Sequence, residues 1–296
     1  MSAARKIGGD NPDGEYHLAS IDGRYDYRIT GNRGSVRYFS LNVNAGRGMS
    51  KRRMAAFLND QTIDFDEQGN FTLLLSQQRP QAKGQWIEIP EDASNIMLRQ
   101  YVADRSREEL VNIAIGPLGE APSLPDTRDT DIAEALSAMN YAFVFLATLH
   151  KIVLPQAWEQ PNQFFTTDAD SLGGTISSPD NLYMIGSFDV ARDEALIIEV
   201  EPPQTRYWNI ALETHWHEAV DYMHRPVSRT LDNVTIDPDG RVRFVIAHQD
   251  PEVPNWLDPM GNERGFMTLR WLDARGAVVP VPIVKKVSLA ELADAR

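Results

Sequence analysis

Apolar residues along most of the chain alternate with polar ones or gather in short runs, with a period nearer two than 3.6. "EYHLASI", "RYDYRIT", "VRYFSLNV", "FTLLLS" and "IMLRQYV" are such runs, each bounded by Gly, Pro, Asn or Asp. The same pattern returns in "LYMIGSF", "ALIIEV", "RYWNIAL", "VRFVIAH" and "FMTLRWL". "DEQGN" and "DPDGR" predict hairpin-type turns in which Gly69 and Gly240 supply a positive φ. Many short strands at this spacing predict a mainly β protein of antiparallel, sandwich-like sheets. One stretch breaks the pattern. In "DTDIAEALSAMNYAFVFLATLHKIVLP", Ile132, Leu136, Met139, Phe143, Leu146 and His150 keep the spacing of a long amphipathic helix with a buried stripe. Asp129 or Thr130 caps its start and Pro155 stops it. Residues 155–178 lack periodicity, but Trp158, Phe164 and Phe165 favour a segment that packs. "SKRRMAAFLND" reads as a second helix and "SLAELADAR" as a short, capped C-terminal one.

The strand pattern occurs twice. "NPDGEYHLASID" from Asn11 is echoed by "SPDNLYMIGSFD" from Ser178, and the echo continues. Arg37-Tyr38-Phe39 matches Arg206-Tyr207-Trp208, Asp64 and Asp66 match Asp237 and Asp239, Trp86 matches Trp256, and Arg99 matches Arg270. The offset stays near 170 residues throughout, 167 at Pro12/Pro179 and 170 at Trp86/Trp256, with the small drift that loop insertions allow. The chain therefore reads as a duplication of roughly residues 10–118 and 178–288. Residues 1–127 form a first β repeat unit, 128–177 a connecting helix and long loop, and 178–296 a second β repeat unit.

Composition narrows the function. A formal charge of −13 opposes binding to nucleic acid, which depends on Lys and Arg neutralising phosphates, and it equally disfavours an anionic membrane surface. With no cysteine, disulfides, thiolate nucleophiles, Fe–S clusters and Cys-based zinc sites are excluded together. The N-terminus lacks the apolar core of a secretory signal. The longest largely apolar run, residues 135–150, is shorter than the roughly 20 residues of a membrane span. The expectation is a soluble, cytoplasmic protein. No Walker loop, dinucleotide fingerprint, G-x-S-x-G elbow or H-E-x-x-H helix occurs, so no cofactor is expected.

Four of the six histidines lie between residues 215 and 248. His215 and His217 are two apart, so on a strand they would share a face. Glu213, Asp221, His224 or His248 would complete a mixed N/O metal site, but H-x-H alone fixes two ligands and no tightly bound metal is expected. The repeat offers a sharper contrast, because Gln77, Arg79 and Gln85 correspond to His248, Asp250 and Asn255. An acid/base pair thus stands where the first copy has amides and a cation. His248 is the expected proton carrier, with Asp250 two residues along the strand holding its tautomer; the competing use of Asp250-Pro251 and Asn255 is a plain turn. His215 and His217 join the catalytic candidates. Tyr207, Trp208, Asn255, Trp256 and Arg270 are the candidate substrate contacts. Arg99 and Arg270 sit on equivalent strands among apolar residues and need acidic partners, with Asp66 and Asp239, or Asp92 and Asp258, as candidates; their presence in both copies favours a structural role. The basic stretch Arg47, Lys51, Arg52 and Arg53 occupies the connection that is His-rich in the other half, and reads as a solvated face.

"AHQDPEVPNWLDPMGNERGFMTLRW" resembles the bacterial family of domain of unknown function 1214, whose signature runs D-P-x-x-x-N-W-L-D, then Gly, Gly and R-W. The matching residues are Asp250, Pro251, Asn255, Trp256, Leu257, Asp258, Gly261, Gly265, Arg270 and Trp271. The upstream segments extend the resemblance over nearly the whole chain, although longer relatives carry further helical sequence ahead of the NPD motif. The resemblance implies a β-rich, sandwich-like fold in a soluble bacterial protein, in a family met in catabolic settings. Together these readings predict a cofactor-independent enzyme acting on a small, largely apolar organic molecule by hydrolysis, elimination or isomerisation, with self-association into a homo-oligomer allowed. The alternative is a non-catalytic carbohydrate- or ligand-binding scaffold.

Overall fold

A computed structural model describes residues 6, 8–47, 50–120, 127–148, 151, 155–167, 177–274 and 278–294. Among them are seventeen strands in four sheets, and the chain divides into two compact units. The first comprises residues 13–143 and the second residues 1–12 together with 144–296.

In the first unit one sheet has the order β1-β7-β3-β4, from β1 (Gly14–Ser20), β3 (Tyr38–Ala45), β4 (Arg53–Asn59) and β7 (Ala93–Tyr101). The other has the order β6-β5-β2-β8, from β2 (Tyr27–Asn32), β5 (Asn70–Ser76), β6 (Gln85–Glu88) and β8 (Asn112–Pro117). Alternate residues of both sheets meet in one core, with Phe39, Leu41, Val43 and Leu98 from the first and Ile29, Phe71, Leu73 and Leu75 from the second.

The second unit repeats the plan. Its strands are β9 (Gln163–Thr167), β10 (Asn181–Asp189), β11 (Glu194–Val200), β12 (Trp208–Glu213), β13 (Ser228–Thr230), β14 (Val242–Ala247), β15 (Trp256–Leu257), β16 (Arg264–Leu272) and β17 (Ile283–Ser288). The sheet orders are β13-β12-β16-β10-β9 and β15-β14-β11-β17. Apart from the added edge strand β9, these are the orders of the first unit, so the duplication read from the sequence is a duplication of topology. Trp208 packs 5.3 Å from Trp271 and edge-on to Phe244 at 6.2 Å in this core. Burying such aromatics contributes about 2–3 kcal/mol each. The pairing is not wholly antiparallel, because β5–β6 and β14–β15 are parallel pairs reached by loops rather than hairpins.

The predicted turns hold. Gly69 has φ +80° and Gly240 φ +85°, each closing a turn onto Asp66 or Asp237. Asp66 therefore corresponds to Asp237, a shift of two from the match of Asp64 with Asp237 that the bare sequence offered. "RRMAAFLN" is not a helix. It forms β4, because β3 offers a ladder partner from Ser40 to Ala45, and pairing overrides the helical propensity of its Ala and Met.

The long helix exists as α1 (Asp129–Ala147), but its expected buried stripe is exposed: no residue of α1 is buried. His150 lies outside the described residues. Pro155 does not only stop α1; it opens α2 (Pro155–Glu159), where its missing N–H costs nothing. The segment that follows does pack, since β9 pairs with β10, Phe164 joins the main core of the second unit, and Phe165 and Trp158 pack against Ala157 and Phe266. The C-terminal helix is α3 (Leu289–Asp294), capped by reciprocal bonds between Ser288 and Glu291.

Gly265 allows a close approach that the second unit needs. A Cβ there would stand 2.2 Å from the Glu213 carbonyl and 2.7 Å from the Phe188 ring, both fixed by the core. We expect Gly265→Ala to lower stability by roughly 1–3 kcal/mol. The control Gly116→Ala, which meets nothing within 4 Å, should stay within about 1 kcal/mol of the parent in a urea melt.

Candidate functional site

The registry of β12 with β16 sets Asn209 opposite Arg270, Ala211 opposite Thr268 and Glu213 opposite Phe266. Opposed residues point to one side, so these side chains lie on the face turned away from the core that holds Trp208, Ile210, Leu212, Leu269 and Trp271. Glu213, the last residue of β12, has no exposed surface, and Arg270 is 3% exposed. Arg270 Nη2 lies 3.3 Å from Glu213 Oε1.

His217 closes the arrangement. After β12 the chain turns, with the His217 amide bonded to the Thr214 carbonyl at 3.0 Å, and His217 takes φ +60°. A non-glycine residue held there carries strain on the order of 1–3 kcal/mol, so the surroundings must fix it. They do so by stacking the imidazole on Phe266 (centroids 4.0 Å apart, planes at 12°) and by setting Nδ1 2.5 Å from Glu213 Oε2. A carboxylate only accepts, so Nδ1 carries the shared proton and Nε2 is the nitrogen left for another partner. That Nε2 is buried and has no hydrogen-bond partner among the described residues.

Lys6 and residues 8–11 are stitched over this face. Gly9 N–H donates to the His217 carbonyl at 2.6 Å and its own carbonyl accepts from Arg270 Nη2 at 2.7 Å. Asp10 Oδ1 accepts from the Ala219 N–H at 2.9 Å. Asn11 bonds both the Tyr207 hydroxyl at 3.0 Å and Asn209 Nδ2 at 2.6 Å. Lys6 Nζ donates to the Ala219 and Val220 carbonyls.

The electrostatics separate the two acids. Burial pushes Glu213 up, but the charges of His217 and Arg270 and the bond to the imidazole outweigh it, and the carboxyl is held below its usual range. Burial also pushes Asp10 up, from 3.8 to about 6. The Ala219 N–H bond opposes that shift, the Glu213 charge adds to it, and Lys6 and Arg270 oppose it further. One carboxyl is thus held below its usual range and its neighbour takes a proton at about pH 6.

The remaining candidates divide by whether the first unit does the same thing. His248 is not on β14, which ends at Ala247, so it does not share a strand face with Asp250. Its Nε2 donates to the Val190 carbonyl at 3.1 Å, as Gln77 Nε2 donates to the Gly23 carbonyl at 3.0 Å. Asp250 is exposed and accepts from the Glu252 N–H, the plain turn weighed above. Asn255 ties Thr235 and Arg243, where Gln85 ties Thr62 and Asp64. Trp256 Nε1 donates to Ala247 as Trp86 Nε1 donates to Ser76. These are one set of clamps used twice.

Trp208 lies in the core with no exposed surface and cannot line a pocket; only the outward Tyr207 of that pair reaches the site. His215 and His217 diverge, because the strand ends at Glu213, and the His215 ring lies tilted against Trp216 with centroids 4.1 Å apart. Arg270 takes Glu213 rather than Asp239 or Asp258; Asp92 is paired with Arg53 and Asp258 with Arg225. The basic stretch is partly spent on the fold, through that Arg53 pair and the bond of Arg47 to the Ile21 carbonyl. Among the described residues no three His, Asp or Glu side chains are placed to hold a metal ion.

What distinguishes the second unit is elsewhere. By the ladder registers Asn44 and Met97 stand where Glu213 and Thr268 do, while Arg99 matches Arg270. Sequence comparison singled out His217 and Arg270 but missed Asp10 and gave Glu213 only a metal role. The readable signal was a carboxylate aligned with Asn44 on an all-buried strand.

The family model described as "Protein of unknown function (DUF1214)" matches residues 13–105 and 188–275, more than half of the chain and once in each repeat. A crystal structure of a putative uncharacterized protein from Burkholderia cenocepacia is similar at 27% identity and a TM-score of 0.86, covering 98% of this chain and 81% of that one. The VPA0106 protein from Vibrio parahaemolyticus shares the fold at 12% identity and a TM-score of 0.58, covering 95% of this chain and 90% of its own. No curated protein matches.

Two measurements check the site. Asp10 holds its proton up to about pH 6 when folded but only to about 3.8 otherwise. Its stabilising contribution is therefore complete below about pH 4 and is lost as pH rises through 6, a difference on the order of 3 kcal/mol. Relative to Asp10→Asn, the parent should lose stability across that window in denaturant melts; parallel curves would remove the raised Asp10. His248→Gln should melt within about 1 kcal/mol of the parent, since Gln77 shows that an amide makes the same bond. Arg270→Met, which strands Glu213, should cost roughly 3–5 kcal/mol.

Proposed function

Since the chain belongs to the DUF1214 family, whose description assigns no activity, we propose from its geometry that it is a cofactor-independent acid/base enzyme. Its substrate is a small, largely apolar organic molecule, and the site lies in the second unit. The observation that carries this reading is the buried His217, with Nδ1 held by Glu213 and Nε2 unbonded. Glu213 orients the ring and balances the imidazolium formed when Nε2 takes a proton from substrate. The Arg270 guanidinium steadies Glu213 and the negative charge that develops beside it. Asp10, able to hold a proton near pH 6, is the matching acid. Two carboxyls whose environments push them apart are the usual basis of acid and base roles in one site. Proton removal at one atom and return at another is an isomerisation; loss of a leaving group instead is an elimination. Neither needs a cofactor. Residues 8–12 act as the cover that substrate displaces, and the setting is the cytoplasm.

Proton transfer is placed at His217 rather than His248, because the His248 contact has a counterpart in Gln77 and needs no chemistry to explain it.

A second reading, a ligand-binding protein, rests on a different feature of the same unit. A cavity of about 720 Å³ lies on the outer face of the β15-β14-β11-β17 sheet, with Ile197, Val245, Val253 and Leu292 as apolar lining and Lys285 and Glu199 as polar lining. That volume suits a single small organic molecule.

One experiment separates the readings. A panel of esters, lactones, β-hydroxy ketones and unsaturated ketones is incubated with the parent, His217→Gln and His248→Gln. Turnover by the parent should fall roughly 10²–10⁴-fold in His217→Gln and stay near parental in His248→Gln. Undiminished turnover in His217→Gln would falsify the enzyme reading. Ligand-induced thermal shifts without turnover, abolished by Val245→Trp, would establish the binding one.

A further inference from the structure

The strap of residues 8–11 and the Glu213 set it covers belong to one compact unit. Most bonds that tie it down go to main-chain or neutral groups. Asp10 takes the Ala219 N–H, Lys6 the Ala219 and Val220 carbonyls, and Asn11 the Tyr207 hydroxyl and the Asn209 amide. Gly9 differs. Its carbonyl accepts from Arg270 Nη2 at 2.7 Å, whereas the same nitrogen stands 3.3 Å from Glu213 Oε1. The closer contact of a buried guanidinium is thus given to a neutral peptide oxygen. On the other side the His217 carbonyl holds the Gly9 N–H at 2.6 Å. A Cβ on Gly9 would stand 3.4 Å from His217 Nδ1 and 3.7 Å from both Glu213 oxygens. A peptide group of the chain itself therefore lies against the imidazole and the carboxylate, with its oxygen on the cation.

We propose that the Gly9 peptide is a built-in surrogate for the substrate. Substrate enters by setting a neutral carbonyl oxygen, that of a ketone, ester or amide, on Arg270 Nη2 in place of the Gly9 carbonyl. The proposal rests on the acid/base reading of this site and gives it a substrate class. Lifting the strap takes an acceptor away from a buried cation, and a ligand that returns one recovers what is lost. The strap is then a competitor of substrate as well as a cover.

Charge disfavours an acid in that place. Burial pushes Glu213 up, yet His217 and Arg270 hold it below its usual range, so the local cations are already engaged. Beside it, burial and then the Glu213 charge push the Asp10 carboxyl up to about 6, against the pull of the Ala219 N–H, Lys6 and Arg270. A substrate carboxylate would meet the same burial and the same anionic neighbour. A neutral carbonyl uses the donor and brings no charge.

Three probes of one shape test this in the full chain: cyclohexanone, cyclohexanecarboxylate and cyclohexylammonium, which offer a neutral acceptor, a charged acceptor and none. Gly9→Val unseats the strap, because a β-branched residue does not hold φ +69°. In ligand-observed NMR titrations cyclohexanone should bind Gly9→Val about tenfold or more tightly than the parent. That is the factor expected when the parent is open less than about a tenth of the time. The other two probes should show no such gain. In the parent, saturating cyclohexanone should speed hydrogen exchange at the Gly9 amide as it leaves the His217 carbonyl. This second arm decides the matter if Gly9→Val does not fold. A carboxylate gain equal to that of the ketone overturns the proposal, as does unchanged ketone affinity or a Gly9 amide that stays protected. If the ketone fails to compete while His217→Gln still abolishes turnover, the surrogate alone falls. If the ketone competes but His217→Gln keeps full turnover, the acid/base reading falls instead.

Discussion

A carboxylate with no exposed surface keeps its charge only if cations and donors replace the water it has lost. Glu213 meets that requirement through Arg270 on one oxygen and His217 on the other. The rest of the candidate site follows from it. Arg270 could not lie on a buried strand without an acid, His217 could not hold a left-handed backbone without the bond to Glu213, and Gly265 must be glycine because the Glu213 backbone passes so close. Residues 8–11 lie over the face because its polar groups offer bonds to Gly9, Asp10 and Asn11.

The duplicated frame makes it possible to separate what holds the fold from what was added to it. The amide or imidazole at 77/248 and the amide at 85/255 bind equivalent backbone positions in both units, and the tryptophan at 86/256 bonds the equivalent residue, Ser76 through its hydroxyl and Ala247 through its carbonyl. Apart from Arg99, which matches Arg270, the charged set has no such twin. Where the second unit has Glu213 and Thr268, the first has Asn44, bonded to Asn95, and Met97. Buried ionic groups seldom improve stability over apolar replacements, so an unduplicated one points to a task other than holding sheets together.

Much of this was legible in the sequence. Strands and turns were readable because period two and Asp-x-x-Gly are local signals, and the repeat because those signals recur with matched Trp and Arg. The site was less legible. Glu213 and His217 belong together because β12 ends at Glu213 and the chain then turns, which no spacing rule announces. Asp10 reaches Ala219 across more than 200 residues. His248 drew attention as a lone histidine facing a glutamine, yet both side chains serve the same carbonyl-binding role. In β4 the local preference was helical, and the ladder offered by β3 prevailed.

The most direct test of the central claim is the protonation pattern of the His217 ring, read from ¹⁵N chemical shifts of the imidazole in the full chain. The Glu213 contact predicts a proton on Nδ1 in a strong hydrogen bond, and the proposed base role predicts a bare Nε2. In Glu213→Gln that resonance should move upfield or vanish. A ring protonated on Nε2 alone, with no response to Glu213→Gln, would contradict the dyad and with it the acid/base site.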